Sequence, residues 1–192
     1  AGSLIGLIAS GLDQRIDELR RGRSDVIEAD HSLILGWSSR VPAIVSELVI
    51  ANESRKRAAV VILASADKTE MEEALRAAIP DMKTTRVVCR NLEMVNLAGA
   101  RSVVVIGDGD GDDSHTVKVL LAVRATVGDG GPNVVAEVNE SETGSSLQSL
   151  LGERLVTVSS DDVVAELTAQ ACRQRGLSSV FRELLDFDGD EI

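Results

Sequence analysis

Short apolar runs alternating with amphipathic stretches predict an α/β protein: a Rossmann-like, doubly wound parallel sheet with a C-terminal helical appendage for dimerisation. Three observations carry this. The apolar runs are rich in Val and Ile and continuous rather than alternating, as expected for strands buried on both faces. Most stretches between them are roughly ten to fifteen residues long, which suits the helical crossovers that parallel strands require. Helix starts are also marked: Asp67-Lys68-Thr69-Glu70 reads as a capping box, Ser141 opens one helix, and Ser159-Ser160-Asp161-Asp162 opens another.

In chain order, strands are predicted at 32–37, 57–64, 84–89, 101–107, 133–138 and 154–158. Helical patterns fall near 41–54, 68–78, 92–98, 113–126 and 142–151. A longer helix over 160–175 is stopped by Gly176, and a short one at 178–185 carries Val180, Phe181, Leu184 and Leu185 on one side. A helical pair with apolar residues after a complete sheet reads as a partner surface.

A chain of 192 residues is one domain plus an appendage, long enough to bury a core. Its 20 Lys and Arg against 31 Asp and Glu give a net charge of −11, which argues against nucleic acid as a partner. One Trp, two Phe and no Tyr argue against ring-lined sugar or base pockets. Cys89 and Cys172 make no metal motif and suit a reducing compartment.

Residues 2–12 are apolar but far short of the roughly 20 residues needed to span a bilayer. They lack the flanks of a signal peptide. Arg15, Arg20, Arg21 and Arg23 follow, so the segment reads either as the cytoplasmic end of a transmembrane helix or as an amphipathic helix docked on its own domain.

The turn after the first strand, Gly36-Trp37-Ser38-Ser39-Arg40-Val41, stands where a dinucleotide-binding fold carries G-x-G-x-x-G. Only Gly36 matches; Ser38 and Val41 replace the other two glycines, and Ser65 stands where an acid would hold the ribose. NAD is therefore not expected, although Gly36, Ser38, Ser39 and Asp67 remain the residues a cofactor at this turn would meet. Asp67 reads equally as the cap of its helix.

A second candidate is Gly107-Asp108-Gly109-Asp110-Gly111-Asp112-Asp113. Alternating Asp and Gly can wrap carboxylates round a hard cation, though the EF-hand pattern fails because Val119 stands at the twelfth position from Asp108. The other reading is a solvated loop whose last acids favour the next helix dipole. Glu137, a charge inside the fifth apolar run, needs either a ligand or an internal ion pair. The metal candidates are thus Asp108, Asp110, Asp112, Asp113 and Glu137, with Ca2+ the expected ion. No nucleophile, P-loop or zinc signature is present, and no enzymatic activity is expected.

Several stretches taken together resemble the Castor/Pollux-type ion channels, and within them the cytosolic RCK (regulator of conductance) domain. They are His31-Ser-Leu-Ile-Leu-Gly-Trp-Ser, Ala64-Ser-Ala-Asp-Lys-Thr-Glu-Met-Glu, Val88-Cys-Arg, Cys172-Arg-Gln-Arg-Gly-Leu-Ser and Leu184-Leu-Asp-Phe. The resemblance runs from near Asp13 to Phe187. It implies a ligand-sensing gating domain at the cytoplasmic face of a membrane, attached to a tetrameric cation pore, with calcium a ligand or permeant ion. It also implies three parts: 1–30 as the end of the pore-lining helix and a linker, 31–158 as the Rossmann-like lobe, and 159–192 as crossover and terminal helices making homo-oligomer contacts. Two features depart from the family: a short segment after Cys89, and Ser65 in place of an acid. The alternative is a nucleotide-sensing regulatory subunit of a potassium transporter.

Overall fold

The computed structural model describes residues 29–90, 96–107, 111–174 and 176–185. Six strands form one all-parallel sheet: β1 (His31–Leu35), β2 (Ala58–Leu63), β3 (Thr85–Arg90), β4 (Ala100–Val105), β5 (Asn133–Val138) and β6 (Leu155–Ser159). Their order is β3-β2-β1-β4-β5-β6, so the topological switch falls between β1 and β4. The helices are α1 (Val41–Ala51), α2 (Lys68–Ala78), α3 (Ser114–Val127), α4 (Ser141–Leu151), α5 (Ser160–Arg173) and α6 (Leu177–Leu185).

The continuous apolar runs are explained by two cores, one on each face. On one face Ile34, Val60 and Ile62 pack with Val41, Val45 and Val49 of α1 and Met71 and Leu75 of α2. On the other, Leu33, Leu35, Val61 and Val103 pack with Leu120 and Val123 of α3 and Leu147 of α4. Adjacent residues in a strand point to opposite faces, so a strand buried on both must be apolar throughout.

The crossover from β3 to β4 differs from the expected helix at 92–98. Its described part is a single 3-10 turn, Leu97–Gly99, capped by the Asn96 side chain; residues 91–95 lie outside the described residues. The expected pore-helix end and linker lie almost wholly outside them too, as does the tail from residue 186.

The appendage is unlike the rest. None of the side chains of α5 is buried. Of the seven large apolar side chains that stand exposed among the described residues, six lie between 156 and 184: Val156, Val158, Val163, Val164, Val180 and Leu184. Among the described residues no helix is long and apolar enough to cross a membrane.

Candidate functional site

At the carboxyl end of β1 the chain turns sharply because Gly36 adopts φ +106°. A Cβ at this position would lie 2.5 Å from the Ile106 carbonyl oxygen, so the turn tolerates only glycine. Gly36 donates its amide to the Leu63 carbonyl at 2.8 Å, which fixes the turn against the end of β2. Ser38 is occupied locally: its hydroxyl accepts from the Arg40 amide at 3.3 Å, and its carbonyl accepts from Val41 at 3.1 Å. Ser39 is exposed. Asp67 is the cap of α2, its carboxylate accepting from the Thr69 amide at 2.8 Å and the Glu70 amide at 3.3 Å, so of its two sequence readings the structure displays the cap.

Two cavities open beside the turn. One, of about 280 Å3, is largely apolar and reaches from Leu35 and Leu63 to Val119 and Val123 of α3. The other, of about 180 Å3, is lined by Trp37, Ala66 and Ile106. Gly36, Ser65 and His115 line both.

Asp108 and Asp110 lie outside the described residues. Asp112 and Asp113 divide their roles. Asp112 is exposed and accepts from the Ser114 hydroxyl at 2.6 Å and amide at 2.9 Å; these bonds, the hydroxyl's above all, hold its pKa below the ordinary carboxylate value. Asp113 is buried and faces the loop after β5. It accepts from the Asn139 amide at 2.8 Å, the Asn139 Nδ2 at 2.9 Å and the Glu140 amide at 3.1 Å.

Glu137 has other partners. It takes the internal-pair alternative: Arg40 Nη1 stands 2.7 Å from its Oε1, and the Ser160 hydroxyl donates to the same oxygen at 2.5 Å. Among the described residues no group of three His, Cys, Asp or Glu side chains converges to hold a metal. Asp113 and Glu137 each meet protein donors.

The remaining polar groups continue toward the appendage. The Ser159 hydroxyl donates to the Asn139 carbonyl at 3.3 Å, and the Ser141 hydroxyl donates to Asp162, holding the Asp162 carboxyl below its usual range. Asn139, Ser141, Ser159, Ser160 and Arg40 thus belong to the carboxyl edge, yet the sequence flags only some of them, as helix starts or turn residues. Ser141, Ser159 and Ser160 are marked as helix starts and Arg40 as part of the turn after β1; nothing local marks Asn139 as a hub.

Fold and site define the class first: a Rossmann-like α/β domain whose carboxyl edge is wired by hydrogen bonds to a C-terminal helical pair. No family model matches the chain. Curated relatives do. The chain is 32% identical over 99% of its length to the probable ion channel POLLUX of Arabidopsis thaliana, covering 24% of that protein. It is 30% identical to the probable ion channel CASTOR of Oryza sativa and 29% to the ion channel CASTOR of Lotus japonicus, over 98% of its length and 22% and 23% of theirs. The chain is similar to ion channels named POLLUX and CASTOR and spans about a quarter of their length. A solved lactate dehydrogenase from Cryptosporidium parvum, bound to lactic acid and nicotinamide adenine dinucleotide, overlaps 65% of this chain and 42% of its own at TM-score 0.42 and 15% identity, too loosely to bear on function.

Proposed function

We propose that this chain is a ligand-sensing gating domain of a cation channel, working at the cytoplasmic face of the membrane in a ring of identical copies joined to the pore. One observation carries the reading. The acidic loop ends in Asp113, Asp113 grips the loop after β5, and that loop holds the root of α5 through the Asn139 carbonyl and Ser159. Whatever displaces Asp113 is felt where the exposed apolar appendage begins. That appendage, residues 159–192 in the division above, is the surface through which copies meet.

Calcium is the ligand this reading favours, taken by Asp108 and Asp110 with Asp112 beside them. A coupling of about 1–3 kcal/mol per bound effector would bias the ring between two arrangements and so bias the pore. Isothermal titration of calcium into the chain, with an Asp108→Asn/Asp110→Asn double variant alongside, tests it. Saturable heat that the variant loses supports the sensor; no heat from the wild-type chain removes calcium as its ligand.

A second reading rests on the apolar cavity of about 280 Å3 beside Gly36 and Ser65. It is a nucleotide-sensing regulatory subunit of a potassium transporter, with a base in the cavity. Here a rise in melting temperature with ATP or NAD, absent with calcium, is the expected result.

A further inference from the structure

Glu137 is the single ionisable side chain of β5. Period-two alternation places it on the opposite face from Ala136 and Val138, which belong to the core shared with α3 and α4. One of its oxygens joins three elements. Arg40, the residue immediately before α1, approaches Oε1 at 2.7 Å; Ser160, the first residue of α5, donates to it at 2.5 Å; and the carboxylate itself belongs to β5. Only 13% of the Glu137 side chain is exposed against 47% of Arg40, so the pair is partly screened from water and stronger than an ordinary surface pair.

This small cluster has leverage because of what α5 lacks. A helix that buries an apolar stripe is oriented by packing, but α5 buries no side chain. Its apolar residues Leu167 and Ala171 are only half-buried, so the bonds at its root bear on its direction. Among the described residues three side-chain bonds reach that root: Ser159 to the Asn139 carbonyl, Ser141 to Asp162, and Ser160 to Glu137. The first two come from the loop after β5 and the start of α4. Only the third leads to the turn after β1.

We propose that Arg40 is a positioning residue which, through Glu137 and Ser160, sets where α5 leaves the sheet, so that a rearrangement of the turn at residues 36–40 is transmitted to the α5–α6 appendage. The proposal rests on the reading above only in treating that appendage as the output; the linkage is a property of the chain without any ligand. It is a second route to α5, separate from the one through Asp113.

The test is amide hydrogen exchange by mass spectrometry on the 192-residue chain with no ligand added. The amides at 163–167, the first with acceptors within α5, are the reporters. Arg40→Ala is expected to speed their exchange about fivefold, the factor a partly buried ion pair supports, while β1 and β4 stay unchanged. Arg40→Lys keeps a charge at the same reach and restores at least half of the protection. Arg40→Ala/Ser160→Ala exceeds the larger single effect by little, because both act through one carboxylate. Unchanged exchange at 163–167 in Arg40→Ala overturns the proposal, and so does a speeding that β1 and β4 share equally. Since no calcium or nucleotide enters the assay, failure of the gating reading leaves its result intact.

Discussion

Replacing Asp113 with Ala separates a structural carboxylate from a ligand-binding one. In the structure its two oxygens accept from the amides of Asn139 and Glu140 and from the Asn139 side chain, at 2.8, 3.1 and 2.9 Å. Its side chain makes no capping bond to α3. A bond to a charged acceptor contributes about 1.5–3 kcal/mol, but the Asn139 side chain can turn to water and the amides can be partly hydrated. Two orphaned backbone donors then leave a loss of about 2–4 kcal/mol. For a chain of this size that lowers the melting temperature by about 6–12 °C. Urea unfolding followed by Trp37 fluorescence and circular dichroism, in chelator to remove divalent ions, measures it. Asp113→Asn keeps one acceptor oxygen and should lose about half as much. A loss under about 1 kcal/mol with an unchanged m value would falsify the structural assignment, since Asp113 would then be dispensable to the β5 loop and free for a cation.

Gly36→Ala combines a φ of +106° with a Cβ only 2.5 Å from a carbonyl oxygen, and should cost about 2–4 kcal/mol in the same urea assay; a loss under about 1 kcal/mol would mean the turn can relax. Burial pushes the Cys89 thiol up to about 11, with Glu72 adding to the shift. A thiol harder to ionise when folded stabilises the protein below its ordinary pKa near 9, and that contribution is lost as pH rises through about 11. The urea midpoint should therefore fall over this alkaline window, by less in Cys89→Ala, and a disulfide reagent at neutral pH should label exposed Cys172 well before buried Cys89. On the proposed ring surface, Val164→Asp/Leu184→Asp should change stability by under about 0.5 kcal/mol, both residues being exposed, yet abolish self-association in sedimentation equilibrium. Association that survives both charges would place the contact elsewhere.

The elements were legible because their signals are local. Val60-Val61-Ile62-Leu63 and Val103-Val104-Val105 read as strands wherever their neighbours lie, since apolar side chains on consecutive residues demand cover on both faces. Asp67 and Ser159 were legible as caps for the same reason: each bonds an amide two or three residues on. The segment after β3 was not, because a 3-10 turn at Leu97–Gly99 has too few residues to establish a period.

What the sequence determined, then, is a parallel α/β sheet with an amphipathic, sparsely buried ending, together with a family resemblance that the curated relatives bear out. Which acids meet which donors was decided by the tertiary structure alone. In sequence Glu137 is a charge inside an apolar run and Asp113 the end of an acidic loop, and neither context names a partner. The strand order β3-β2-β1-β4-β5-β6 brings Arg40 and Ser160 to one, and the amides after β5 to the other. Periodicity records whether a residue is covered and leaves open by what; a carboxylate's role depends on the partner, and these partners arrive from distant parts of the chain only when the sheet is assembled.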